Sequence, residues 1–196
     1  MKASRTDIFK IRSNNVTPSR GRILISEPFL CDNVFGRSVV FVVDHNDEGT
    51  MGLILNKKLS LSLNSIVDEL RFFDTIPLYH GGPVGHDVLF YLHTLDDVPD
   101  SLNMGNGLYL NGDFEYVKRY ILNGGDYSSM RFFLGYACWD SMQLMGEIAE
   151  NTWIVGKEDV VGMLRSDSGS LWKQVMSRQG SKYEIWSRFP QIPLMN

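Results

Sequence analysis

The residues able to do chemistry on this chain fall in a few short stretches. Cys138 is the nucleophile candidate by type. It stands between an apolar run ending at Tyr136 and a helix expected from about Ser141, where a helix N-terminus would favour the thiolate. Such a thiol needs a general base, and only the distant His45, His80, His86 and His93 could supply one. The spacings of the last three fit no common zinc pattern, although strands could bring His80 and His93 side by side, and neither cysteine belongs to a C-x-x-C pair. No metal and no cofactor are therefore expected. Gly81-Gly82-Pro83-Val84-Gly85 has the look of a phosphate cradle, but Pro83 removes a backbone donor from its middle and no G-K-[ST] follows. A tight strand-to-strand corner is the expectation. Gln143 and Glu147 sit four residues apart, on one face of the helix after Trp139, and with Asn56 would make a polar patch. Without a second acid or a metal they form a poor acid–base pair, so no catalytic residue is assigned.

These side chains must be carried by regular elements. Arg22 to Ser26 is a short β-rich run stopped by Glu27-Pro28. Ser38 to Val43 is continuously apolar, as for a strand buried on both faces, and Met51 to Asn56 returns after a polar turn, so 38–56 reads as a hairpin. Ser62 followed by Leu63, Ile66, Val67 and Leu70 predicts an amphipathic helix of two to three turns. Strands are predicted at 77–80, 88–93, 108–110, 130–136 and 152–155, with turn chemistry at 103–107. Asp113 caps a helix carrying Phe114, Val117 and Ile121 on one stripe, and further helices are predicted at 141–149 and 169–179. Hairpin spacing is as common as crossover spacing, which favours an α+β mixed sheet over a doubly wound one.

Composition narrows the class. With 196 residues, 43% hydrophobic, the chain has the size and apolar content of one folded domain rather than a disordered one. No apolar run approaches the roughly 20 residues that span a bilayer, and the first residues lack the apolar core of a signal peptide. Two cysteines cannot make a disulfide framework, so a cytoplasmic location is expected, with no membrane partner. The net charge of −4 argues against a general electrostatic embrace of nucleic acid. Residues 1–20 nevertheless form a basic N-terminal extension on an acidic body, read here as a solvated terminus.

Several segments in order carry a family resemblance. Gly21-Arg22-Ile23-Leu24-Ile25-Ser26-Glu27-Pro28 is followed by Asp32, Phe35, Arg37 to Val40, His45, Gly49 to Asn56 and Gly81 to Val84. Phe133 to Ala137, Trp139, Gln143-Leu144, Glu147 and Trp153 come later. In order and spacing residues 21–196 resemble the bacterial AlgH/YqgE family, with residues 1–20 as an extension before its usual start. The resemblance implies a cytosolic single domain with a mixed, strongly curved, barrel-like sheet flanked by helices. It implies no settled activity: most members are uncharacterised, and one branch is described as regulating transcription of exopolysaccharide genes. The family pattern has glycines where this chain has Cys138 and Met142, and a glutamate where it has Met145, so Cys138 carries no family-wide chemistry.

The reading that follows is a non-enzymatic binding or regulatory protein acting on a protein or small-molecule partner, with direct DNA binding not expected. Its surface would be built from His45, Asn56, Gly81, Gly82, Pro83, Tyr136, Trp139, Gln143 and Glu147. The alternative is an enzyme of unrecognised type working on a small polar ligand beside Tyr136, Trp139 and Asn56.

Overall fold

A computed structural model describes residues 12, 14 and 16–190. The strands are β1 (Ile23–Ser26), β2 (Val39–Asn46), β3 (Gly49–Ile54), β4 (Lys58–Ser62), β5 (Pro77–His80), β6 (Val84–His93), β7 (Leu102–Gly105), β8 (Leu108–Leu110), β9 (Arg131–Asp140) and β10 (Trp153–Gly156). The helices are α1 (Phe114–Leu122), α2 (Gln143–Ala149), α3 (Val160–Arg165), α4 (Ser168–Arg178) and α5 (Ser181–Ser187).

Two sheets share β9. One runs β10-β1-β2-β3-β9, and the other continues through β6 and β8 to β7, with β5 and β4 on a side branch. Along one edge β9 pairs first with β5, Phe132 to Leu134 opposite Leu78 to His80, and then with β3, Ala137 to Asp140 opposite Gly52 to Gly49. The changeover falls at Gly135, whose φ of 73° bends the strand. The β5–β9 pair is parallel and the others antiparallel, so the sheet is mixed, as expected. The barrel is not formed. The path of strands runs open from β10 to β7, because β9 bends and divides its edge between β3 and β5 instead of carrying one sheet round to closure.

The core follows strand alternation. Ile23 and Ile25 of β1 and Val39, Phe41 and Val43 of β2 face a cluster filled by Met163 and Leu164 of α3 and Leu171, Trp172, Val175 and Met176 of α4. Leu24, Val40 and Val42 point the other way, against Leu144 and Ile148 of α2. Both faces of β2 are thus covered, which is why its run is continuously apolar. A third cluster lies under α1, where Val117 and Ile121 pack on Leu78, Tyr91 and Phe132. Asp113 starts α1 as expected, its carboxylate accepting the N–H groups of Glu115 and Tyr116.

The helix predicted from Ser62 does not form. Two 3-10 turns, Leu63–Ser65 and Asp68–Leu70, are interrupted by Val67 in an extended conformation. Asn64 explains the substitution: its Nδ2 donates to Leu70 O at 2.7 Å and its Oδ1 accepts Ile76 N at 2.8 Å. One side chain therefore replaces helical backbone bonds. The 103–107 stretch is mostly strand β7, with the turn reduced to Asn106-Gly107, both at positive φ. Strand β4 and helices α3 and α5 carried no predicted element.

The N-terminal extension lies largely outside the described residues. Of those described, Asn14 pairs with the edge of β10, its Nδ2 donating to Val155 O at 2.6 Å, and Arg20 donates to Asn103 O at 2.6 Å. Among the described residues no helix is long and apolar enough to cross a membrane.

Candidate functional site

Trp139, on β9, and Trp153, on β10, meet edge to face with centroids 5.8 Å apart and planes at 88°. Phe35 leans on both rings, at 5.7 and 5.5 Å. Both indoles are buried, 4% and 1% exposed, so each N–H needs an acceptor. Glu147 provides it for both. Its Oε2 accepts Trp139 Nε1–H at 2.9 Å and Trp153 Nε1–H at 2.7 Å, while Oε1 accepts the Gln143 amide at 2.9 Å. Three donors therefore fix one carboxylate, and the four-residue spacing on α2 aligns the third of them. Asp32 shapes the facing loop, its Oδ1 accepting the N–H groups of Val34 and Phe35 at 2.8 and 2.6 Å. Together these groups line a cavity of about 400 Å³ that also touches Pro83 and Cys138. The lining holds two carboxylates and no cation.

The structure brings Pro83, Trp139, Gln143 and Glu147 to this cleft and sends the other candidates elsewhere. Tyr136 lies one strand face away from Ala137 and Trp139; it packs with the α3–α4 core and stands edge-on to Phe90 at 5.7 Å. His45 bonds through Nδ1 to Thr50 Oγ1 at 2.7 Å, across the β2–β3 hairpin. Asn56 ties the open end of that hairpin, accepting Val39 N and donating to Arg37 O, both at 2.9 Å. Gly81 and Gly82 form the expected corner and cross β9 closely: a Cβ on Gly81 would lie 2.0 Å from Gly135 O, and one on Gly82 2.1 Å from the Tyr136 carbonyl carbon.

His80 and His93 are not neighbours. The His80 ring lies 5.8 Å from that of His86, whereas His93 is buried beside Tyr91 and stacked on Tyr109, its Nε2–H donating to Asn111 O. Burial first, then the neighbouring His86 and Lys57, push His80 below the ordinary histidine value. Among the described residues no group of three or more His, Cys, Asp or Glu side chains could hold a metal ion. Cys138 does not sit at a helix start. It is exposed within β9, opposite Met51, and α2 begins only at Gln143.

Sequence reasoning missed Asp32 and Phe35 as members of this cleft, and the indole of Trp153. They come from two segments far apart in the chain, the loop at 32–35 and β10, and only the folded structure joins them to β9 and α2. It also missed Arg131, which is 3% exposed and donates to the carbonyls of Leu55, Met163, Leu164 and Ser166, closing the end of α3. A lone arginine opening an apolar strand was the available signal.

A divided α+β sheet with an acidic, aromatic cleft between loop and helix defines the class of this domain. The AlgH-like family pattern matches residues 23–184, and the chain belongs to that family. It is 58% identical to a UPF0301 protein of Bacteroides fragilis over 97% of this chain and 98% of the relative. It is 44% identical to a UPF0301 protein of Parabacteroides distasonis over 99% of this chain and all of the relative. Among solved structures, the crystal structure of protein DIP2367 from Corynebacterium diphtheriae shares the fold, with a TM-score of 0.72 at 23% identity over 96% of this chain and all of that one. The solution structure of the AlgH protein from Pseudomonas aeruginosa matches with a TM-score of 0.68 at 25% identity, over 89% of this chain and 97% of that one.

Proposed function

We propose that this chain is a non-enzymatic binding protein of the cytoplasm, and that its ligand enters the cleft between the loop at 30–35 and α2. The carrying observation is the Glu147 carboxylate. Held by two buried indole N–H groups and an amide, which take three of its roughly four lone-pair sites, it is a fixed acceptor rather than a free base. Such a group organises a binding wall and sets its charge. Aromatic faces beside two carboxylates suit a small ligand or side chain bearing an ammonium or guanidinium group. A regulatory role through such a metabolite or protein partner follows more readily than direct contact with DNA, since the cleft repels phosphate. Two exposed, unpaired thiols, Cys31 and Cys138, support a reducing compartment.

Titration of tryptophan emission with agmatine and putrescine tests this reading, because two of the four indoles, Trp139 and Trp153, form the cleft wall. The expected result is a saturable change that is lost in Asp32→Asn, a variant that keeps the Oδ1 acceptor for the loop but removes the charge. A response that is absent, or identical in the variant, overturns it.

A further inference from the structure

A second cavity, of about 500 Å³, opens at the base of the β2–β3 hairpin. Arg37, Lys57 and Lys173 line it, and the single carboxylate on its wall is Asp167. That carboxylate is already engaged, accepting the N–H groups of Gly169 and Ser170 as the cap of α4. The start of α4 is therefore answered within the chain, and any anion in the cavity must be met by side chains.

The hairpin makes the cations notable. Arg37 precedes β2 in a turn, at a φ of 53°, and Lys57 follows β3, so the open end of the hairpin brings the two charges to one cavity. Like charges held this close repel, and Arg37 disfavours the charged form of Lys57. Here they are held in place regardless: Asn56 bonds the Arg37 carbonyl, the Arg37 guanidinium lies over Trp172 at 4.7 Å and donates to Phe189 O, and Lys57 donates to Gly36 O. Among the described residues neither cation forms a salt bridge, and Arg37 Nε is shielded from solvent without a hydrogen-bond partner. Burial pulls the Lys57 ammonium below its usual value; Asp32 opposes this and Arg37 adds to it. A protein holds two cations in this way at a cost, which an incoming anion would remove.

We infer that this cavity is an oxyanion site, in which Arg37, Lys57 and Lys173 receive the phosphate or carboxylate group of a small ligand. Arg37 offers a planar fork fixed by stacking, Lys57 a point charge with donors left over after its bond to Gly36, and Lys173 a charge at the mouth. Ser168 also lines the wall, whereas the Ser170 hydroxyl is committed, donating to Asp167 O and accepting the Gln174 amide. The site is separate from the cleft at Trp139 and takes the opposite charge, so the two readings stand or fall independently.

Calorimetric titration of the full chain at low ionic strength, with inorganic phosphate in one arm and succinate in the other, tests the inference. Saturable binding is expected in at least one arm, and the stronger arm identifies the group. Lys57→Gln should weaken it by about tenfold and Lys173→Gln by a few-fold, while Lys182→Gln, on α5, leaves it unchanged. Amide shifts of Ser168 to Ser170 on titration would mark the location, and their loss in Lys57→Gln separates a lost site from a lost fold. No saturable binding in either arm, or equal binding by Lys57→Gln and the unaltered chain, overturns the site.

Discussion

The loop between β1 and β2 borders two cavities of similar size that handle charge in opposite ways. Its Asp32 and Phe35 line the acidic cleft, its Arg37 lines the basic one, and its Gly36 carbonyl accepts from Lys57 there. In the acidic cleft the central charge is satisfied from within: three donors converge on Glu147, two of them on buried indoles that have no other acceptor. In the basic cavity the charges are positioned but not neutralised, and Arg37 and Lys57 are each held by neutral carbonyls. The first arrangement stabilises the fold and offers a finished surface. In the cleft the charge that a cationic ligand would meet is therefore chiefly that of Asp32, while in the basic cavity the central cations themselves are left for a ligand to meet.

Removing Glu147 should show the largest effect. Glu147→Ala strands two indole N–H groups and costs about 2–5 kcal/mol of stability by urea unfolding; a loss below about 1 kcal/mol would mean that water replaces the carboxylate and the wall is not structural. Gly146→Ala tests the same helix in the other direction. A Cβ there meets nothing within 4 Å, so α2 should gain about 0.5–1 kcal/mol through helix propensity. An unchanged cleft emission spectrum would show that α2 was already rigid.

The basic cavity should give the smallest change. Lys57→Gln should leave stability within about 0.5 kcal/mol, or raise it, because no salt bridge is lost and a repulsion is relieved. The same substitution has a pH signature at His80. The folded His80 titrates below its unfolded value, so its contribution to stability is complete above about pH 6.5 and is lost as the pH falls through the folded value. Removing the Lys57 charge raises the folded value and narrows that window, whereas Glu147→Gln leaves it in place. Histidine resonances followed by NMR from pH 8 to 5 distinguish the two.

Much of the fold was legible where local chemistry dominates. The two-faced apolar run of β2, the return of β3, the Asp113 cap and the stripe of α4 all read directly from residue type and period. The false helix after Ser62 shows the limit: its period was helical, but the Asn64 amide captured the backbone groups the helix needed. Of the acidic cleft, the pair Gln143 and Glu147 was visible because one helix carries both, while the indole partners depend on sheet register. Tyr136 parts from the rest of the expected surface, because neighbours on a strand point to opposite faces. The basic pair flanks the predicted hairpin by one residue on each side, but Arg37 is turned out of the strand at a φ of 53° and reaches the cavity through its contact with Trp172, which hairpin counting alone does not give.

Strand β9 also sets the order in which the molecule can be built. It enters the chain at residue 131, yet β3, β5 and β6 all pair with it, and β1 finds β10 only at residue 153. A chain emerging N-terminus first therefore carries three strands with unmet edges until β9 arrives, and neither sheet can be completed before then. The long separation between partners implies slow folding for a domain of this size, and a period in which those edges are open to other chains.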